Sequence, residues 1–219
     1  MSETAFVQLL DLAAGLVLVS SFAALWLRRL VTVTHLLAVQ GVALACVAAV
    51  IGIYEHENEL VAVAMMVGVL RGVVLPRLIL RAVRSGGELR EVESLINVPA
   101  SLLAASGLTL VAYATTRDIV ALSPSAQVRA MPLGVAVALI GILLIATRRK
   151  AALQIMGVLM LDNGIALVMF LGTSGVPLAV ELGIASDVLL AMFILQVLTN
   201  RIRTKFGGTD LDQLRELRD

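Results

Sequence analysis

Residues 31–54, VTVTHLLAVQGVALACVAAVIGIY, form a run of 24 positions without a single Asp, Glu, Lys or Arg. A helix of about 20 apolar residues is enough to cross the hydrocarbon core of a bilayer. This run therefore predicts a transmembrane helix. Six further runs are long and predominantly apolar, although some contain a charged residue, which gives seven predicted spans. The other six runs lie at 5–27, 60–81, 98–116, 130–147, 151–171 and 176–199.

The composition excludes most soluble functions. Of the 219 residues, 59% are hydrophobic and 15% are charged, against about 45–50% and about 25% in soluble domains. Seven spans with short loops leave no room for a dinucleotide-binding or nucleic-acid-binding domain. The runs are about twice as long as a barrel strand and do not alternate polar with apolar residues. The predicted fold is therefore all-α, a polytopic membrane helix bundle of about seven transmembrane helices in contact with the lipid bilayer.

The net charge of +1 hides a strong asymmetry in where the cations lie. If the spans alternate in direction, 14 of the 17 Lys and Arg residues fall on one side, and Arg117 and Arg129 fall on the other with the acidic connector 55–59. The positive-inside rule then predicts that the N-terminus lies outside and the C-terminus in the cytoplasm. No Lys or Arg precedes the first run, so a permanent first helix is predicted rather than a cleaved signal peptide.

Three charged residues, Arg71, Asp162 and Asp187, lie near the middle of their predicted spans. Charge at that depth is costly, so each is expected to face a protein neighbour or water. Glu181 lies six residues before Asp187, about 9 Å nearer the outer surface, and can reach the interface. A buried carboxylate pairs with a cation, becomes neutral or lines water, and these are the options that a proton relay needs.

A structural alternative stays open for each of these residues. Arg71 either pins a neighbouring helix or sets the electrostatic potential at a proton-carrying acid. Asp162 either relays protons or bonds to a neighbouring helix together with Asn163. Asp187 either relays protons or permanently balances Arg71. His35 lies near the cytoplasmic end of the second span, and because histidine is the usual pH-sensitive side chain, it either feeds protons or bonds between helices.

The remaining polar residues predict no conventional catalysis. Gln40 is expected to hydrogen-bond between helices, and Cys46, the single cysteine, is expected to be a buried small hydrophobe. The chain has no Cys/His cluster, phosphate-binding loop or Gly-rich dinucleotide motif, so no catalytic residue, metal site or bound cofactor is predicted. The cytoplasmic segment 209–219 has leucines at every third position from Leu211. It is too short to be a stable helix alone and is predicted to dock on a partner or on the membrane surface.

Three segments resemble a known family: LMLDNGIALVMF (159–170), PLAVELGIASDVLLAM (177–192) and TDLDQLRELRD (209–219). On these motifs, and on length and span order, the whole chain resembles component E of hydrogenase-4, a membrane subunit of formate hydrogenlyase-type and related energy-converting complexes. Its last three helices resemble subunit K of respiratory complex I. They also resemble component C of the multisubunit antiporters that exchange cations for protons.

The resemblance implies a non-catalytic subunit of a complex-I-like or [NiFe]-hydrogenase-type oxidoreductase complex in the prokaryotic cytoplasmic (inner) membrane. Its expected partners are antiporter-like membrane subunits and those beside the quinone or hydrogenase module. The family's buried acids form a proton-translocation axis. By this resemblance Asp162 stands where the family usually has Glu, and either Asp187 or Glu181 matches the next acid.

Two alternatives remain from the sequence: a purely structural scaffold subunit, and a member of a multisubunit antiporter that exchanges cations for protons. The predicted division is a four-helix part, a three-helix part resembling subunit K and a short amphipathic tail. These parts cover residues 1–129, 130–205 and 206–219.

Overall fold

The structure is a computed structural model that describes residues 1–27, 29–85, 97–123, 125–148 and 151–172. These ranges are helical apart from short turns and helix ends, which confirms the all-α prediction for this part of the chain. The predicted seventh span, 176–199, and the tail, 206–219, lie outside the described residues. The helices, in chain order, are α1 (Glu3–Trp26), α2 (Leu30–Glu55), α3 (Asn58–Val69), a π-helical turn (Leu70–Val74), α4 (Leu75–Ser85), α5 (Val98–Leu122), α6 (Ala126–Thr147) and α7 (Ala151–Gly172).

Six of the described helical segments are long and apolar enough to cross a membrane. Five are single helices, and the sixth, Asn58–Arg81, runs through α3, the π-helical turn and part of α4. All six correspond to runs predicted from the sequence. The fourth span continues to Leu122, beyond its predicted end at 116, so Arg117 lies within a helix rather than after one.

Several helices begin where the sequence supplies a capping side chain. The Ser2, Asn97 and Ser125 side chains accept hydrogen bonds from the backbone N–H groups of Ala5, Ala100 and Val128 at the starts of α1, α5 and α6. Such caps satisfy N–H groups that have no partner within the helix. The α2–α3 connection begins at His56, whose positive φ of 61° ends α2 and allows the chain to turn back.

The pair α6 and α7 packs most closely, with glycines seven residues apart on each helix (Gly134 and Gly141; Gly157 and Gly164). A methyl group built on Gly141 would lie 2.5 Å from the backbone nitrogen of Leu161, and one built on Gly157 would lie 2.9 Å from that of Ile145. Small residues in membrane helices allow this approach of backbone to backbone. The contact fixes the position of α7, which carries Asp162.

Replacing Gly141 by alanine is expected to lower the free energy of unfolding by about 1–3 kcal/mol, because the new methyl group would overlap the backbone of α7. Gly107 on α5 is the matched control, since nothing lies within 4 Å of a methyl group built there. Gly107→Ala should be neutral, or stabilising by up to about 1 kcal/mol through helix propensity. Unfolding of the full chain in mixed micelles, followed by circular dichroism, measures both, and equal effects would contradict the close packing.

Polar contacts join the helices at both ends of the bundle. Arg148, at the end of α6, is buried and donates from Nη2 to the Leu25 carbonyl in the last turn of α1, at 2.7 Å. At the opposite end, Gln127 of α6 donates to Glu55 of α2 at 2.7 Å. A cation at a helix C-terminus stabilises carbonyls that have no partner within the helix. These contacts show that α6 runs parallel to α1 and antiparallel to α2.

The position of Cys46 differs from the prediction. Its side chain is exposed, on the outward stripe of α2 that also carries Val39 and Val42. Together with Leu12 and Leu16 of α1, these residues line a shallow apolar groove. The prediction of a buried Cys46 was wrong because α2 is apolar on every face, so its inward side cannot be identified from the residue types.

Candidate functional site

An ion pair joins the third and sixth spans near their middles. Arg71 Nη2 lies 2.6 Å from Asp162 Oδ2. The two side chains are 3% and 12% exposed. Arg71 belongs to the π-helical turn and Asp162 to α7. Two of the three charges that the sequence places at mid-membrane depth are therefore direct partners.

Asn163, the next residue on α7, extends the contact. Arg71 Nη1 donates to Asn163 Oδ1 at 2.6 Å, so neighbouring side chains of α7 contact both terminal nitrogens of the guanidinium. Asn163 Nδ2 donates in turn to Gln40 Oε1 on α2 at 3.1 Å. Both amide side chains are buried, and the prediction that Gln40 bonds between helices is confirmed.

The chain of hydrogen bonds ends on α1. Gln40 Nε2 donates to Ser21 Oγ at 2.8 Å and lies 3.4 Å from the Val17 carbonyl oxygen. The Ser21 hydroxyl donates to the same carbonyl at 2.9 Å. We call Ser21, Gln40, Arg71, Asp162 and Asn163 the polar cluster. It links α1, α2, the π-helical turn and α7 through side chains alone.

The backbone brings the cluster together at Gly41. A methyl group built on Gly41 would lie 2.6 Å from the carbonyl carbon of Arg71 and 2.7 Å from its Cβ. The π-helical turn therefore rests directly on α2, one residue after Gln40. The Leu75 N–H donates to the Leu70 carbonyl, five residues back. Such wide turns within α-helices occur frequently at functional sites.

The structure brings two of the predicted site residues into the polar cluster and leaves a third outside it. Arg71 and Asp162 form its charged pair. His35 is exposed on α2, about one and a half turns before Gln40, and the structure does not bring it to the cluster. Asp187 and Glu181 lie outside the described residues. Ser21 belongs to the cluster although the sequence analysis did not select it.

A signal for this geometry is present in the sequence. Within the apolar spans that the structure describes, a polar residue directly precedes a glycine at Gln40-Gly41, Arg71-Gly72, Ser106-Gly107 and Asn163-Gly164. Three of these glycines are at a close helix contact: Gly41 with the Arg71 backbone, Gly72 with Val42 and Gly164 with Ala138. Nothing lies within 4 Å of a methyl group built on Gly107, and Ser106 is exposed. The sequence pairing thus selects the three cluster residues together with Ser106, and the close contact distinguishes them.

The cluster offers one acid, the carboxyl of Asp162. Arg71 keeps its charge and only donates, and the amides of Gln40 and Asn163 do not ionise. In the part of the chain that the structure describes, no group of three or more His, Cys, Asp or Glu residues is placed to hold a metal ion. The arrangement places a carboxyl group beside a fixed positive charge inside the helix bundle.

Comparison with known proteins finds a similarity over the full length. The chain is 46% identical over 220 residues to the uncharacterized protein Rv0085 of Mycobacterium tuberculosis, covering 100% of both chains. A shorter match, 34% identical over 80 residues, is to hydrogenase-4 component E of Escherichia coli K12 and of Shigella flexneri. It covers 36% of this chain and 37% of those proteins. No family model and no solved structure matches the chain.

The shorter match supports part of the resemblance predicted from the motifs. Similarity to hydrogenase-4 component E is found over 80 residues, whereas the motifs predicted it over the whole length. This similarity is consistent with a membrane protein that is one member of a larger complex. The likeness of the last three helices to subunit K of complex I and to component C of the antiporters stays a prediction.

Proposed function

We propose that this chain, which belongs to one family with the uncharacterized protein Rv0085 of Mycobacterium tuberculosis, is a non-catalytic subunit of a hydrogenase-4-type or complex-I-like membrane complex. In this proposal Asp162 carries protons within the membrane and Arg71 is its fixed counter-charge. The observation that supports it most directly is the 2.6 Å pair between the two residues near the middle of their spans. The 80-residue similarity to hydrogenase-4 component E supports the assignment to a complex.

The energetics of the pair favour a role beyond packing. An Arg or Asp at the centre of a transmembrane helix costs about 2.5–3.5 kcal/mol on insertion scales. Hydrophobic residues of similar volume often replace a buried ion pair without loss of stability. A pair at this depth therefore costs free energy that the fold does not require. A proton relay accounts for this cost, because a relay needs an acid at that depth and a fixed cation to balance the acid's ionised form.

The second acid of the proposed relay is Asp187, with Glu181 as the alternative, both outside the described residues. In this proposal a proton passes between Asp162 and the second acid, while the guanidinium of Arg71 keeps its charge as the fixed partner of Asp162.

Membrane orientation is part of the proposal. The N-terminus lies outside, the C-terminus in the cytoplasm of a bacterial cell, and 176–199 forms a seventh span. The parallel course of α1 and α6 supports this orientation, because it places Arg29 and Arg148 at the same end of the bundle. By the positive-inside rule, that end faces the cytoplasm.

Replacing Asp162 by asparagine is expected to abolish proton translocation by the whole complex and to leave electron transfer measurable, because asparagine occupies the same space but cannot carry a proton. Membrane vesicles from cells that carry the variant in place of the natural chain allow both rates to be measured. Asp11→Asn is the matched control, since Asp11 is an exposed carboxylate on α1. If Asp162→Asn translocates as many protons per electron as the natural chain, the relay role is wrong.

The scaffold alternative is favoured by one observation: the polar cluster joins four helical segments and could serve only to hold them together. In that case Asp162→Asn impairs assembly, and the complexes that still assemble translocate the normal number of protons per electron. A native gel of the solubilised complex, run beside the proton and electron measurements, separates the two functions. Normal assembly with lost translocation supports the relay, and lost assembly with normal coupling supports the scaffold.

A further inference from the structure

We infer that Gln40 is a positioning residue for the proton-carrying site: it acts through Asn163 to hold the Arg71 guanidinium in the orientation that faces Asp162. The inference rests on the proposed function and adds a role for α1 and α2. The observation that carries it is the ordered series of hydrogen bonds from Arg71 Nη1 through both amides to Ser21 and the Val17 carbonyl.

The direction of every hydrogen bond in the series is fixed by its two ends. The guanidinium of Arg71 has donors and no acceptor, whereas the Val17 carbonyl is only an acceptor. The Ser21 hydroxyl gives its one hydrogen to that carbonyl, so it has only lone pairs to offer Gln40. The Gln40 side chain must therefore turn Nε2 toward α1 and Oε1 toward α7.

That orientation determines the orientation of Asn163. Its Nδ2 donates to Gln40 Oε1, which leaves Oδ1 to accept from Arg71. A reversed Asn163 amide would place Nδ2 against Arg71 Nη1, donor against donor, and Oδ1 against Gln40 Oε1, acceptor against acceptor. With Gln40 fixed, the reversal loses both hydrogen bonds inside a buried site, where unpaired polar groups are costly. Arg71 and Gln40 therefore require the same orientation of the Asn163 amide, and Gln40 holds the amide in place from the side opposite Arg71.

The same series makes the α1–α2 part of the cluster a poor route for protons. A proton moves along hydroxyls, water and carboxyls by exchanging covalent and hydrogen bonds. The amides of Gln40 and Asn163 stand between Ser21 and the charged pair, and an amide nitrogen does not readily give up its hydrogen. Gln40 therefore orients the charge at the site, and Asp162, whose side chain is 12% exposed, exchanges the proton.

Gln40→Met tests the inference, because methionine has a similar volume and makes no comparable hydrogen bond. The matched control is Gln8→Met, at an exposed position of α1. In vesicles containing the whole complex, we expect Gln40→Met to assemble and to lower the rate of proton translocation, relative to the rate of electron transfer, by about tenfold. This factor corresponds to the loss of about 1.4 kcal/mol, near that of one neutral hydrogen bond such as the one between Asn163 Nδ2 and Gln40 Oε1. Gln8→Met should match the natural chain in both measurements.

Gln40→Asn is the second variant, which keeps an amide but is one methylene too short to join Ser21 to Asn163. An assembled complex of either variant with reduced coupling supports the inference. An assembled Gln40→Met complex that translocates the normal number of protons per electron overturns the inference. Failure of both Gln40 variants to assemble, while Gln8→Met assembles, also overturns it, because Gln40 is then only a packing contact. If Asp162→Asn lowers coupling and Gln40→Met does not, this inference fails alone. If Asp162→Asn also keeps its coupling, the proposed function fails.

Discussion

Replacing Arg71 by methionine should lower the free energy of unfolding of the chain by about 3–5 kcal/mol. The substitution fills a similar volume but removes the guanidinium that lies 2.6 Å from Asp162 Oδ2 and donates to Asn163. Loss of one partner of a buried pair typically costs this much, because the remaining charge stays in a medium of low dielectric constant. Unfolding of the full chain in mixed micelles gives the value directly.

The double variant Arg71→Met/Asp162→Leu distinguishes the charge from the packing. With both charges removed, about the stability of the natural chain should return, because an apolar pair of similar volume often replaces a buried ion pair without loss. Arg29→Met, at an exposed position outside the helices, controls for the loss of one positive charge. A double variant no more stable than Arg71→Met would mean that packing, and not the uncompensated charge, accounts for the loss.

The double variant also separates the two functions considered for this chain. A scaffold whose charges are permanently paired loses nothing when the pair becomes apolar, so the complex should assemble and translocate protons. A relay loses its proton-carrying group, so the complex should assemble and fail to translocate. Only if the pair transfers protons does the double variant regain the stability of the natural chain and yet lose proton translocation.

The sequence was sufficient to predict the described spans, because their length and apolar composition are set by the thickness of the bilayer. It was also sufficient to identify Arg71 and Asp162, because charge at mid-membrane depth is rare and costly. Their pairing was left open, since depth alone does not distinguish Asp162 from Asp187 as the nearest acid. The pairing depends on the approach of α7 to the π-helical turn, which arises from glycine contacts in three dimensions.

Ser21 and Cys46 show where sequence patterns cease to be informative. In a soluble helix the polar face marks the outside, but α1 and α2 are apolar on all sides and carry no such mark. Ser21 is fully buried and bonds to Gln40, whereas Cys46 is exposed. Which side of such a helix is internal depends on the helices that pack against it, and the residue pattern of the helix alone does not identify that side.

The second large effect is expected at Gly41, where valine should lower the free energy of unfolding by about 3 kcal/mol. The added side chain would begin 2.6 Å from the carbonyl carbon of Arg71, and a backbone atom cannot turn aside as a flexible side chain can. Overpacking of this kind costs about 1–3 kcal/mol and more where the neighbour is rigid. Gly15→Val on α1 is the matched control, because nothing lies within 4 Å of a methyl group built at Gly15.

The effect of Gly41→Val should extend from stability to the site itself. Relief of the overlap requires the π-helical turn to move away from α2, and Arg71 moves with it from its bonds to Asp162 and Asn163. Complexes that still assemble should therefore lose proton translocation as Asp162→Asn does, whereas Gly15→Val should change neither property. Gly41 contacts the backbone of Arg71 and has no side chain that could take part in proton transfer. Normal proton translocation by an assembled Gly41→Val complex would therefore show that the close contact between the π-helical turn and α2 is not needed for proton transfer.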